Sequence, residues 1–316
     1  MPMLRLKFLP LIQLLTVSAA FAATSFNWDS TKYVYAFGDS YTFVQGTLGN
    51  PNFSFIGDVL DLAFTPQQIF SDEIIPRNTS SEASNWIEFL TGCFGGKPSD
   101  CEKQLWNFAF AGSDISAALL PRHHDFTTSL VEQVGQWVTF ASDVLPHPEN
   151  ETLTFWWIGI NDTGDTLNNA SITDFAAFWE TEMIAYFDAV QMAFDNGLSK
   201  HVFINVPPED RNPATLGTSN EPKLESNVQM FNDALSNHTA GFAEQNPSAT
   251  VMTFDSHAVF SFILDHPSDF GFTNITGFCT CEDPTGFFWF NDGHPTQAVH
   301  KLVAAALRSQ LEAASA

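Results

Sequence analysis

Tyr33-Val34-Tyr35-Ala36-Phe37-Gly38-Asp39-Ser40-Tyr41-Thr42 passes without a break from an apolar run into a polar turn. Its first half shows no polar/apolar alternation, so it reads as a strand buried on both faces, the kind found in parallel sheets covered by helices. Its second half places a serine just beyond the carboxyl end of that strand. In an open α/β sheet this is where ligands bind and where chemistry is to be sought.

Working outward, four more apolar runs occur at 105–111, 153–158, 201–206 and 250–254. Segments with helical spacing lie between and after them, at 84–90, 130–144, 173–196, 221–244 and 296–312. Strands alternating with helices predict an α/β fold, with a mainly parallel five-stranded sheet between two helical layers. Right-handed crossovers narrow the topology to a three-layer, flavodoxin-like α/β/α sandwich. The stretches 42–77, 207–222 and 267–287 read as irregular, and long loops in such a domain usually surround a site.

Residues 1–23 are set apart from the fold. Arg5 and Lys7 precede an apolar run ending in Ala20-Phe21-Ala22, the pattern of a cleaved secretory signal. About 15 apolar residues are too few to cross a bilayer, and no later segment is long and apolar enough. No repeat or flexible linker divides 24–316, so one domain is expected there, enough chain to bury a large core. Secretion agrees with Asn-X-Ser/Thr acceptors at Asn52, Asn78, Asn150, Asn161, Asn169, Asn237 and Asn274, expected on surface loops. The four cysteines fit an oxidising compartment and allow three pairings. Cys93 with Cys101 is favoured as a short local loop, which leaves Cys279 with Cys281 as a tight pair.

The chain carries 36 acidic against 12 basic residues, a net charge of −24. Its field repels nucleic acid and anionic surfaces, so a neutral or small partner is expected, with a monomer acting on a small substrate and no membrane partner. Zinc-ligand spacings are absent. His123-His124-Asp125 is read as no metal cluster, because adjacent side chains point apart. Neither a metal nor a cofactor is expected.

Each motif after a strand has a bland reading. Asp39 or Ser40 could cap a helix, and Asn107-Phe108-Ala109-Phe110-Ala111-Gly112-Ser113 and Trp157-Ile158-Gly159-Ile160-Asn161-Asp162 could be plain turns. Their chemical readings converge, however. A serine entering a turn can be ringed by backbone N–H groups, Gly112 exposes a donor with no side chain in the way, and Asn161 can donate from its amide. Near the carboxyl terminus, Asn291-Asp292-Gly293-His294-Pro295-Thr296 sets a histidine immediately before the last helix. Nucleophile, donor, donor and base then follow one another in order.

That order resembles the SGNH/GDSL hydrolases, whose name-giving Ser, Gly, Asn and His match Ser40, Gly112, Asn161 and His294 over nearly the whole chain after residue 23. Ser84-Asn85-Trp86-Ile87-Glu88-Phe89-Leu90-Thr91-Gly92-Cys93, Trp157-Ile158-Gly159-Ile160-Asn161-Asp162-Thr163-Gly164-Asp165 and Asn205-Val206-Pro207-Pro208 look closer still to secreted fungal acetylesterases of carbohydrate esterase family sixteen. The resemblance implies removal of acetyl groups from xylo-oligosaccharides or related sugars. Two positions depart from the pattern. Tyr41 stands where the name-giving leucine is usual. The acid that orients the histidine usually lies three residues before it, where this chain has Asn291. Asp292, Asn291 or a backbone carbonyl is left to hold the ring, with Asp292 the foremost candidate.

The chemistry implied is two-step acyl transfer, with Ser40 activated by His294 and the oxyanion held by the N–H groups of Ser40 and Gly112 and the Asn161 amide. Asn161 is therefore expected to stay unglycosylated. Asp162 and Asp165 read as ties for the loop after the third strand, and Phe53, Phe55 and Trp289 as loop aromatics able to stack on a sugar. The rival readings are a lipase or phospholipase of the same superfamily and a non-catalytic carbohydrate-binding protein.

Overall fold

Five strands form one sheet: β1 (Tyr33–Gly38), β2 (Gln104–Asn107), β3 (Thr152–Trp157), β4 (Lys200–Ile204) and β5 (Thr250–Phe254). Their order is β2-β1-β3-β4-β5 and every pairing is parallel. The computed structural model describes residues 26–48 and 65–315. The proposed signal segment, Asn52, Phe53 and Phe55 lie outside the described residues.

The unalternating runs behave as buried strands must. All residues of β1, β2, β3 and β4 are buried, and only the edge strand β5 is largely half-exposed. Among the described residues the α-helices are α1 (Pro66–Ser71), α2 (Trp86–Thr91), α3 (Leu130–Gln136), α4 (Ile160–Asp165), α5 (Phe175–Asp195), α6 (Glu221–Gln245), α7 (Ser256–Asp265) and α8 (Gln297–Ala314). α2 packs on α8, while α5 packs on both α3 and α6. Trp86, Trp156, Trp157, Trp179 and Phe231 fill the space between sheet and helices, as expected for large aromatics in a close-packed core. Local signals agree with these helix starts: Asn85 accepts from Glu88 N–H while the Glu88 carboxylate accepts from Asn85 N–H, a reciprocal cap on α2.

The structure differs from the sequence reading in several places, among them α1 inside the stretch 42–77 read as irregular and α7, which that reading lacks. β2 ends at Asn107 rather than 111, because the Asn107 side chain accepts from Ala109 N–H and donates to the Thr42 carbonyl, turning the chain out of the sheet. The helical segment expected over 130–144 widens into a π-turn at Trp137–Ala141, where Ser142 N–H reaches back five residues to the Trp137 carbonyl. The stretch read as irregular at 267–287 holds β6 (Asn274–Phe278), which pairs with β7 (Phe287–Trp289). Finally, Ser40 enters a single turn, and no helix follows it among the described residues up to 48. Both disulfides, Cys93–Cys101 and Cys279–Cys281, are formed. No described helix is long and apolar enough to cross a membrane.

Candidate active site

The turn that carries Ser40 is set by the residue two before it. A Cβ at Gly38 would stand 2.0 Å from the Trp157 carbonyl oxygen, and its φ of +154° is one L side chains rarely adopt. β1 can therefore approach the end of β3 this closely only with glycine there. Gln133, from α3, grips the same residue: its Oε1 accepts from Gly38 N–H at 3.0 Å, and its Nε2 donates to the Gly38 carbonyl at 2.8 Å and to Ser113 Oγ at 3.0 Å. One buried amide thus fixes the Ser40 turn to the Gly112 turn. Asp39, fully buried, closes the turn by accepting from Tyr41 N–H at 2.9 Å. Burial pushes its carboxyl up to about 8.

His294 Nε2 lies 2.7 Å from Ser40 Oγ, across 254 residues of chain. The ring is held from behind by Asn291, whose Oδ1 stands 3.0 Å from His294 Nδ1 and also accepts from the N–H groups of Gly293 (3.0 Å) and His294 (2.7 Å). Those two backbone donors identify the amide atom as oxygen, since an NH2 group cannot accept. Nδ1 therefore carries the proton, and Nε2 is left free to accept from the serine hydroxyl. Asp292, the foremost candidate from sequence, does not hold the ring. It is exposed, its carbonyl accepts from Ala214 N–H, and it acts on His294 only through its charge. The loop closes on itself with Phe290 N–H on the His294 carbonyl, which leaves the side chain three residues back under the ring. Burial lowers the His294 pKa to about 4, against the upward pull of Asp292.

Tyr41, the departure from leucine, has a use the sequence did not suggest. Its hydroxyl donates to the Gly293 carbonyl at 2.6 Å and its ring lies 5.5 Å from that of His294, tying the serine turn to the histidine loop.

Gly112 sits at φ +81°, and among the described residues no protein acceptor takes its N–H or that of Ser40. Asn161, at the start of α4, donates from Nδ2 to the Ser113 carbonyl at 2.8 Å, which aims the amide and leaves it a second hydrogen. Asp162 is fully buried, accepts from Ile115 N–H at 2.9 Å and has its pKa raised to about 7, chiefly by burial. Asp114 is pushed to about 10 by burial and by surrounding carboxylates, Asp162 first among them.

Two residues singled out from sequence stand elsewhere. Trp289 is buried in β7, its indole N–H bonded to the Ile275 carbonyl at 3.0 Å, so it is not a loop aromatic open to a sugar. His123, read as having no metal-ligating partners, meets Asp114 and Asp165 in space, while His124 and Asp125 stand outside that group. Of the glycan acceptors described, Asn78 and Asn150 are exposed, Asn169 and Asn274 half-buried, and Asn237 lies on α6 rather than on a loop.

The family model for GDSL-like lipases and acylhydrolases matches residues 34–307. This chain belongs to that family. The GDSL hydrolase is 29% identical to an acetylesterase of Thermothelomyces thermophilus over 285 residues, 88% of this chain and 87% of the relative. Its fold is similar to that of an acetyl-xylooligosaccharide esterase from Geobacillus, at TM-score 0.47 and 12% identity, covering 89% of this chain and 94% of the other. It is also similar to an aryl esterase of M. smegmatis, at TM-score 0.45 and 14% identity, covering 90% and 99%. The GDSL hydrolase is a carboxylic ester hydrolase.

Proposed function

We propose that this esterase is secreted and removes acetyl groups from small saccharides, xylo-oligosaccharides foremost, through an acetyl-Ser40 intermediate. The observation that carries the reading is the line Asn291 Oδ1, His294 Nδ1, His294 Nε2, Ser40 Oγ, with contacts of 3.0 and 2.7 Å at its two ends. His294 accepts the hydroxyl proton as Ser40 Oγ attacks the acetyl carbonyl. The oxyanion lies against the N–H groups of Ser40 and Gly112 and the free amide hydrogen of Asn161. Collapse breaks the ester C–O bond, and His294 returns the proton to the leaving sugar oxygen. A water molecule then repeats the sequence on the acetyl-enzyme and releases acetate.

The Asn291 oxygen supplies the tautomer without a counter-charge. The imidazolium that forms in each step is stabilised by the more distant Asp292 carboxylate and by hydrogen bonding alone. Secretion is supported by the apolar leader and by two formed disulfides. The acetyl preference is supported by the acetylesterase relative.

Purified protein is incubated with acetylated xylo-oligosaccharides, and with p-nitrophenyl acetate, octanoate and palmitate. Acetate release that disappears in Ser40→Ala, with acetate the fastest p-nitrophenyl ester, is the expected result. Faster turnover of palmitate would overturn the acetyl reading.

A further inference from the structure

Beside the Gly112 turn, three side chains that ester hydrolysis does not use come together. Asp114 follows that turn, His123 lies further along the same connection, and Asp165 ends α4. One nitrogen or oxygen from each lies within 4.8 Å of the other two. His123 Nε2 stands 2.5 Å from Asp165 Oδ2, and both side chains reach solvent. Asp114 does not: it is 3% exposed, and its Oδ1 has no hydrogen-bond partner among the described residues.

An orphaned carboxylate oxygen in the interior is costly unless a donor or a positive charge meets it. The basic side chain of the group, His123, turns its Nε2 to Asp165 rather than to this oxygen. Asp162 and Glu182, whose charges act on Asp114, are fully buried and themselves carry orphaned oxygens, and Arg122 pairs with Glu132 instead. A water or a sugar hydroxyl would satisfy the Asp114 oxygen alone, whereas a divalent ion would meet it together with the His123 nitrogen and the Asp165 oxygen beside it, Asp114 giving up its proton as the ion binds. Access exists, because a cavity of about 620 Å³ opens over His123 and Asp165, bounded also by Leu120, Arg122, His124 and Asn168.

We propose that Asp114, His123 and Asp165 form a binding site for one divalent cation of the Zn2+ or Mn2+ class. One imidazole nitrogen with two carboxylate oxygens suits borderline ions of this kind better than the all-oxygen shells of Ca2+ and Mg2+. Ligand atoms on a single zinc ion stand at most about 4.4 Å apart, so small side-chain rotations bring the set onto it, with the ion replacing the His123–Asp165 hydrogen bond. Water fills the remaining positions from the open side.

The ion's place in the fold defines what it does. It joins the connection carrying Gly112 to α4, the helix that carries Asn161, the two elements that supply oxyanion donors. His123 is already pressed against this turn, since a Cβ on Gly112 would lie 3.2 Å from its Nδ1. The site is thus a brace for the donor side of the catalytic centre, and its existence does not depend on which ester is cleaved.

The test uses the full secreted chain, stripped with a chelator and titrated calorimetrically with ZnCl2 and MnCl2 near neutral pH, with melting followed in parallel. One ion per chain and a higher Tm are expected. His123→Gln and Asp165→Asn, both at solvent-reaching positions and so not expected to impair folding, should each weaken binding more than about tenfold. His238→Gln, which removes a histidine paired to Glu180 far from this turn, should leave it intact. No uptake by the wild-type chain, or uptake that survives both His123→Gln and Asp165→Asn, overturns the proposal. Loss of esterase activity has no bearing on either outcome.

Discussion

Replacing Asn291 by aspartate tests the account of His294 where it differs most from a charged triad. The change is nearly isosteric, and a carboxylate oxygen can accept the same three hydrogen bonds, from Gly293 N–H, His294 N–H and His294 Nδ1–H. The loop should persist, and what is added is one negative charge about 3.0 Å from the ring. An opposite charge at that range raises a basic group by about 1–3 pKa units. His294, held at about 4 by burial in the native chain, should rise to roughly 5–7. A base with a higher pKa is protonated, and idle, over more of the acid range. The acid limb of kcat/KM for p-nitrophenyl acetate should therefore move from near pH 4 to higher pH by the same amount. The added stabilisation of the imidazolium, about 1.4–4 kcal/mol, works in the opposite direction on the plateau, where kcat should hold or increase. Asn291→Ala, which frees Nδ1 from its acceptor, should lower the plateau without raising the limb. An acid limb that stays in place in Asn291→Asp, or that moves to lower pH, would refute the assignment of Asn291 as the group that holds His294.

Three further outcomes follow from the geometry. Asn161→Ala should lower kcat about 10²–10³-fold with little change in Tm, because it removes an oxyanion donor; a loss of under tenfold in steady-state kinetics would remove that residue from the oxyanion hole. Gly38→Ala should cost roughly 3 kcal/mol or more, or yield no soluble enzyme, since its Cβ would sit 2.0 Å from a backbone oxygen; a wild-type Tm would contradict the packing described. Stability should fall as pH rises from about 5 to 9. The carboxyls of Asp39, Glu88 and Glu182 have folded pKa values raised by burial to about 8, 8 and 9, so their contribution is full below the ordinary carboxylate range and is lost as pH passes through those values. The buried His201 and His300, lowered to about 3, oppose this only below about pH 6.5. A Tm higher at pH 9 than at pH 5 would show that the carboxyls are not held protonated.

What could be read from sequence was what local chemistry determines. The runs at 33–37 and 153–158 are strands buried on both faces, the first without a polar side chain and the second with Thr154 alone among apolar neighbours. Ser40 and Asn161 follow those strands directly, so the sheet itself delivers them to one edge. Gly112 is brought to the same edge by the turn that Asn107 makes at the end of β2. His294 could be placed because it precedes the start of α8. The contacts that hold these residues in register were not legible, since each joins distant parts of the chain. Gln133 grips Gly38 across 95 residues, Tyr41 reaches Gly293 across 252, and His123 meets Asp165 across 42. Nothing near Gln133 distinguishes it from any polar residue on an amphipathic helix. Asn291 and Asp292 are adjacent in sequence, and the closed loop from Phe290 to His294 decides between them. Trp289 was misplaced for a related reason: β6 and β7 pair within a stretch rich in Gly, Thr and Asp, composition that ordinarily marks a loop.

The central claim is that Ser40 is an activated nucleophile in the folded protein. A fluorophosphonate probe reacts with such a serine and not with an ordinary hydroxyl, and peptide mass spectrometry locates the adduct. Labelling should approach one probe per chain, on the peptide containing Ser40, and should be abolished by heat denaturation and greatly slowed in His294→Ala. An unlabelled native chain, or an adduct on any other residue, would contradict the account.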